Sequence, residues 1–265
     1  MSDHLLFSVE NGIATITMNR PEVRNALSIE MRTRLNEVLI EIEQDPDIRC
    51  VVIKGQGEHF MAGGDIKSFK EFADKEPDER RRAFEGRIHN LTPTLVSLRR
   101  MKKPVIASVQ GAAAGFGLSL AMACDLVIAG ASSFYTMGYI GIGATPDGSG
   151  SYSLPRIVGL KKAMEIAMLG DRFGVEEAKE YGLVNFIVPD DELEVETAKL
   201  ATRLASGPTF ALGKTKELMH ASMVNDLEKQ LAMEAESFSQ CAATEDWAEA
   251  IFAFNEKRKP NFKGK

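Results

Sequence analysis

Short β-branched runs alternate with helical-period segments as far as residue 189, and the remainder is almost wholly helical. This pattern predicts an α/β fold with a helical C-terminal region. Three observations carry it: a hairpin signature at the start, a set of largely apolar strand runs separated by helices, and a change of composition at Asp190. LLFSVENGIATITMN (5–19) reads as two strands around Glu10-Asn11-Gly12, the strongest short-range hairpin signal. After Asn19-Arg20-Pro21, Ser28 is placed to cap a helix running to about Asp45, with Met31, Leu35, Val38, Leu39 and Ile42 at helical spacing. CVVIKG (50–55) and PVIASVQG (104–111) read as buried strands. Between them the spacing predicts one amphipathic helix of roughly 80–100, with Ile88, Leu91, Leu95 and Leu98 on one face. DLVIAG (125–130) and GLVNFIVP (182–189) complete the strands, and helices are expected at 190–206, 208–221, 225–239 and 244–258. The sequence shows no fixed-period repeat.

Composition bounds the function. The 265 residues are 44% hydrophobic and 26% charged, which excludes collagen-like and disordered classes. A net charge of −6 argues against nucleic acid as a partner, since that role needs a basic surface to displace counterions. Cys50, Cys124 and Cys241 are odd in number and lack Cys-x-x-Cys spacing. His4, His59, His89 and His220 are scattered, so no metal site and no disulfide framework is expected. The start, MSDHLLFSVENG, lacks the basic run and apolar core of a signal peptide, and a reducing, cytoplasmic setting is expected. Residues 104–124 carry no charge and are long enough to span a bilayer. Pro104, Gln110, Gly111, Gly115 and Gly117 interrupt them, so a strand, a turn and a buried helix fit better than a membrane span.

Three segments carry chemistry. In HFMAGGDIKSF (59–69) a Gly-Gly pair between a strand and a helix lets backbone amides approach a ligand. In QGAAAGFGLSLAMACD (110–125) a helix begins near Phe116-Gly117, and its first amides lack intrahelical acceptors. Two such helix starts can donate to one oxygen as an oxyanion hole, or the small residues can simply permit close packing. In IGATPDGSGSYSLPRIVG (142–159), Asp147 is either a turn former satisfied by its own backbone or a partly desolvated carboxylate able to act as a general base.

The ordered set NRPEVRNALS (19–28), FMAGGDI (60–66), PVIASVQGAAAGFGLSLAMACDLVIA (104–129), TPDGSGSYSLPRIVG (145–159), GDRFGVEEAKEYGLVN (170–185) and AFNEKRKPNF (253–262) resembles the crotonase, or enoyl-CoA hydratase/isomerase, superfamily over nearly the whole chain. The resemblance implies a spiral core of ββα units over 1–189, with the acyl-CoA site. Residues 190–265 would form a helical region that builds a homotrimer or a dimer of trimers and touches CoA. The substrate implied is an acyl thioester of coenzyme A, with no separate cofactor, no metal and no membrane partner. By similarity, the amides of Gly64 and Phe116 hold the thioester oxygen, with Gly63, Gly115 and Gly117 beside them in the substrate-binding set. Val23, Arg24 and Ala26 match the loop along the CoA arm. Ala62, Asp65 and Ile66 match the surroundings of adenine and pantetheine, Asp65 having helix N-cap as a rival role. Phe254 and Lys257 match a helix that reaches CoA, often in a neighbouring subunit, and Arg258 is placed to assist.

The resemblance also has departures. Hydratases of the superfamily carry two glutamates that handle a water. The matching positions here are Ser119 and Tyr139, or Gly138 with a one-residue slip, and neither holds a carboxylate. Isomerases of the superfamily often keep an acid at the Pro-[Asp/Glu]-Gly turn, here Asp147. The resemblance therefore implies an acyl-CoA isomerase, of the Δ3,Δ2-enoyl or phenylacetate-pathway type, with Asp147 as the single acid/base. Its rivals are a hydratase, hydrolase or other lyase with the same oxyanion hole, and a non-catalytic acyl-CoA-binding homologue. Residues 67–92 read as charged and irregular and would border the acyl pocket, with Phe69, Phe72 and Phe84 as candidate lining.

Overall fold

The computed structural model describes residues 4–265; residues 1–3, at the head of the stretch read for a leader, lie outside it. The chain runs β1 (Leu5–Glu10), β2 (Ile13–Met18), α1 (Ile29–Gln44), β3 (Cys50–Gly55), α2 (Ile66–Ala73), α3 (Pro77–His89), α4 (Thr92–Arg100) and β4 (Val105–Val109). It continues with β5 (Ala112–Ala114), α5 (Phe116–Ala123), β6 (Leu126–Gly130), β7 (Phe134–Thr136), α6 (Gly150–Val158), α7 (Leu160–Leu169), β8 (Phe173–Gly174), α8 (Val175–Glu180) and β9 (Phe186–Val188). Four helices close it: α9 (Leu193–Ala205), α10 (Thr209–Ser222), α11 (Leu227–Ala242) and α12 (Glu245–Asn255).

The main sheet has the order β1-β2-β3-β4-β6-β9, antiparallel at the β1–β2 hairpin and parallel from β2 onward. A second layer has the order β5-β7-β8, and two single parallel bridges, Met61–Ala113 and Leu27–Gly64, lie beside it. Each turn of the chain therefore lays one strand in the main sheet, a short extended piece in the second layer, and then a helix. β3 is followed by 61–64 and α2, and β4 by β5 and α5; β6 is followed by β7 and, after a 3-10 turn at Tyr139–Ile142, by α6. This is a repeat of geometry without a sequence period, because the helical insertions differ in length from turn to turn.

Strand residues sort by face. Val51 and Ile53 join the main core with Met31, Leu35 and Leu39 of α1. Cys50 and Val52 face Leu193, Ala201 and Ala205 of α9 in a second cluster. Each of the valine, leucine, isoleucine and methionine side chains among them, once buried, contributes about 1.5–3 kcal/mol. Helix α9 thus belongs to the covering of the sheet, while α10–α12 leave Met219, Leu227, Phe238, Phe252 and Phe254 exposed. Among the described residues no helix is long and apolar enough to cross a membrane, and residues 104–124 divide into β4, β5 and α5.

Two expectations are corrected. The single helix over 80–100 is two helices, α3 and α4, because Pro93 cannot donate to the preceding turn and instead sits in the first turn of α4. Residues 67–92 are not irregular: most of them lie in α2 and α3. Lys75–Glu79 and Arg81–Glu85, both one helical turn apart, satisfy charges that the sequence displays as a mixed run.

Candidate active site

The Met61–Ala113 bridge sets the site. It runs two second-layer segments side by side in parallel, and three residues further along each lie Gly64 and Phe116. Both chains then leave the layer into helices, α2 at Ile66 and α5 at Phe116. Among the described residues neither the Gly64 nor the Phe116 N–H donates to a backbone carbonyl, Phe116 being the first residue of its helix. Gly63 (φ +94°) and Gly115 (φ +52°) make the turn possible: both need a left-handed backbone. A Cβ on Gly63 would stand 3.1 Å from the Ala114 carbonyl oxygen.

These amides open into a cleft of ≈ 970 Å³ whose lining includes Ala62, Gly63, Gly64, Ile66, Gly115, Phe116, Gly138, Tyr139 and Asp147. Asp147 sits in a loop held from two sides, its carbonyl accepting from Gly150 N–H at 2.8 Å and from Ser119 Oγ at 3.0 Å. Tyr139, on the 3-10 turn, donates its phenol to Asp147 Oδ1 at 2.6 Å. Burial pushes the Asp147 carboxyl above the ordinary carboxylate range, and the Tyr139 donor opposes that shift. Burial, with the neighbouring Asp147 charge, pushes the Tyr139 phenol far up, so it stays a donor at all physiological pH. The two positions are eight residues apart in a Gly-rich loop. No periodicity links them, so sequence reasoning missed the pair.

Other expected site residues lie elsewhere. Ser119 is fully buried under the Asp147 loop rather than in the cleft, because position 119 of α5 faces α6 and not the open end. Gly117 is also below the cleft: a Cβ there would come within 2.2 Å of the Met61 carbonyl oxygen, so its small size serves packing. Asp65 makes no side-chain cap to α2. Its Oδ2 takes both terminal nitrogens of Arg20 at 3.0 Å, and Arg20 also reaches the Ala26 carbonyl at 2.7 Å.

The loop with Val23, Arg24 and Ala26 is fixed by fully buried Asn25, which donates to the Gln56 and His59 carbonyls at 2.9 and 2.6 Å. Arg20 and Asn25 were not singled out from the sequence, although both stand in the 19–28 motif. Arg24 is exposed, in the left-handed region at φ 54°. Phe254 is 83% exposed on α12. Neither it nor exposed Lys257 lines the cleft of its own chain. Arg258 is not free to assist: Glu249 holds it at 2.6 and 2.9 Å, and Glu256 at 2.6 Å.

A pair of free amides facing a cleft with one desolvated carboxylate can stabilise an oxyanion and move a proton. Comparison with known proteins agrees on the class of enzyme. A family profile described as Enoyl-CoA hydratase/isomerase matches residues 8–265. The chain is 36% identical over 265 residues to the 1,2-epoxyphenylacetyl-CoA isomerase of Escherichia coli (strain K12), covering 100% of both. It is 34% identical to the short-chain-enoyl-CoA hydratase of Clostridium acetobutylicum over 97% of this chain and 96% of that one. The crystal structure of an enoyl-CoA hydratase from Polaromonas sp. JS666 superposes with a TM-score of 0.91 at 35% identity, covering 98% of this chain and 99% of that one. The spiral of strand, strand and helix is the crotonase fold, and the chain is an enzyme of the enoyl-CoA hydratase/isomerase family.

Proposed function

We propose that this enzyme is an acyl-CoA isomerase that shifts a double bond, or carries out a related isomerisation, through an enolate, with Asp147 as its one acid/base. The observation that carries the reading is that Asp147 is the one carboxylate lining the cleft among the described residues, in the same cleft as the two free amides. The relatives carry both isomerase and hydratase names at similar identity, so the choice rests on the residues. Hydration needs a group to activate water and another to deliver a proton. Tyr139 is already committed as a donor to Asp147, and Ser119 does not line the cleft.

In the proposed reaction the Asp147 carboxylate takes a proton from C2 of a 3-enoyl thioester. The electron pair left on C2 delocalises into the thioester carbonyl, whose oxygen is held by Gly64 and Phe116 N–H, each donor worth about 3 kcal/mol in the transition state. The same carboxyl returns the proton at C4, and the double bond comes to lie between C2 and C3. Tyr139 on Oδ1 fixes the carboxylate plane and, among the described residues, leaves Oδ2 without a donor and free to meet the substrate. The CoA arm runs along Val23, Arg24 and Ala26 and the backbone of 62–66, with Asp65 retained by Arg20 as a brace. Phe254 and Lys257 meet CoA in a second copy, in a homotrimer or dimer of trimers formed over the exposed apolar residues of α10–α12.

The test is product analysis by mass on 2-enoyl-, 3-enoyl- and aryl-acetyl-CoA esters. An unchanged acyl mass with a moved double bond supports isomerisation, and a gain of one water overturns it. Near-wild-type turnover of a 3-enoyl-CoA by Asp147→Asn would remove Asp147 from the chemistry.

A further inference from the structure

The charge of the cleft does not suit a wholly apolar acyl chain. Its lining carries Arg32, Arg80 and Arg87 against the single carboxylate of Asp147, in a chain whose net charge is −6. Nearby arginines find acids: Arg34 pairs with Glu37 and Glu41, and Arg81 with Glu85. Among the described residues none of the three cleft arginines has a carboxylate within ion-pair distance. Arg80 is exposed and donates to the Ala73 carbonyl at 2.8 Å. Arg32 and Arg87 differ from it, being half-buried and adjacent, with Arg32 Nη1 making only a long 3.4 Å contact to the Arg87 carbonyl.

The surroundings of Arg87 give it direction. Its guanidinium lies over the rings of Phe69, Phe72 and Phe84 at 5.1, 5.6 and 5.8 Å from their centroids, and one N–H reaches Ser68 Oγ at 3.2 Å. Stacking uses the face of a guanidinium and leaves its in-plane N–H edges for acceptors. The aromatic cluster therefore explains where Arg87 sits. It does not explain why a second arginine stands beside it. Burial and the Arg87 charge lower the Arg32 pKa, so the pair repels in the absence of an anion. Phe69 also fixes where the pair lies along the substrate path. A Cβ on Gly64 would be 3.1 Å from Phe69 Cζ, so the Phe69 ring lies between the Gly64 backbone and Arg87.

We propose that Arg32 and Arg87 form an anion-recognition site in the acyl wall of the cleft, suited to an acyl group that ends in a carboxylate, that is, the monothioester of a dicarboxylic acid. The proposal rests on the acyl-CoA reading above and names the substrate class within it. The phosphates of CoA share the same anionic chemistry, and the experiment separates the two sources.

Calorimetric titration uses saturated, unreactive thioesters in pairs of equal chain length, one methyl-ended and one carboxylate-ended, at several lengths, with free CoA as a third ligand. The wild type is expected to bind the matching carboxylate-ended thioester about tenfold or more tighter than its methyl-ended twin. Arg32→Gln is expected to bring that ratio close to one while CoA affinity holds, and Arg32→Lys to keep part of it. A wild-type ratio near one at every length overturns the proposal. So does an Arg32→Gln loss that falls equally on free CoA, since that outcome puts phosphates on the pair. Binding of neither thioester nor CoA would bring down the acyl-CoA reading itself. Binding without a carboxylate preference brings down only the anion site.

Discussion

Two desolvated aspartates, Asp125 and the proposed acid/base Asp147, differ in the partners that hold them. Asp125, just before β6, takes the Val105 N–H at 2.8 Å and the Lys216 ammonium of α10 at 2.8 Å, and Lys216 also donates to the Leu98 carbonyl at 2.6 Å. That cluster ties strand, loop and C-terminal helix together with an ionic partner present. Among the described residues the Asp147 carboxylate accepts from a neutral phenol alone. Burial pushes both carboxyls upward, but a counter-charge opposes the shift at Asp125, whereas at Asp147 only a hydrogen bond does. A carboxylate braced by an ammonium resists protonation, and one braced by a phenol keeps both protonation states within reach.

The same substitution should therefore act oppositely at the two sites. Asp147→Asn is expected to cut turnover of a 3-enoyl-CoA by about 10²–10⁴-fold. Because folding raises the Asp147 pKa, the native state favours the protonated form. The stabilisation this provides is present at low pH and lost as pH rises through the folded pKa, leaving the ionised carboxylate a cost at neutral pH. Asn carries no such cost, so Tm at neutral pH should hold or rise. Asp125→Asn leaves the Lys216 ammonium without its anion and should lose about 3–5 kcal/mol in denaturant unfolding. kcat/KM per folded molecule should stay close to wild type. A large fall in Tm for Asp147→Asn, or none for Asp125→Asn, would break the contrast.

Smaller effects sharpen it. Tyr139→Phe removes the donor that holds the Asp147 pKa down, so the acidic limb of kcat/KM against pH should move to higher pH. Activity at neutral pH should fall about tenfold, the equivalent of one charge-assisted hydrogen bond. An unmoved limb would show that Tyr139 does not tune the carboxyl. Ser119→Ala frees the Asp147 carbonyl from one hydrogen bond and should cost about 1 kcal/mol of stability with a several-fold fall in kcat. Its pH profile should shift less than that of Tyr139→Phe, since Ser119 donates to the Asp147 backbone carbonyl and not to the carboxylate.

The strands and helices with strong local signals were legible. The hairpin at Asn11-Gly12, the Ser28 cap accepting from Met31 N–H at 3.0 Å, and the α1 face of Met31, Leu35, Val38, Leu39 and Ile42 stand as read. The starts of α2 and α5 after glycine were legible too. The two- and three-residue strands β5, β7 and β8 were not, because so few residues carry no measurable alternation. Pro93 marks the start of α4, but the apolar face that continues across it has the period of a single helix.

Sequence alone determined the longer strands, most of the helices, and which glycines precede a helix, because these depend on neighbours within a turn or two of the chain. Tertiary structure alone decided that Gly64 and Phe116 face one cleft, that Tyr139 meets Asp147, that Ser119 lies beneath the loop, and that Arg20 occupies Asp65. The reason is physical. Hydrogen bonds, desolvation and ion pairing act over a few ångströms of space, and the spiral brings into that range residues whose separation along the chain leaves no periodic trace.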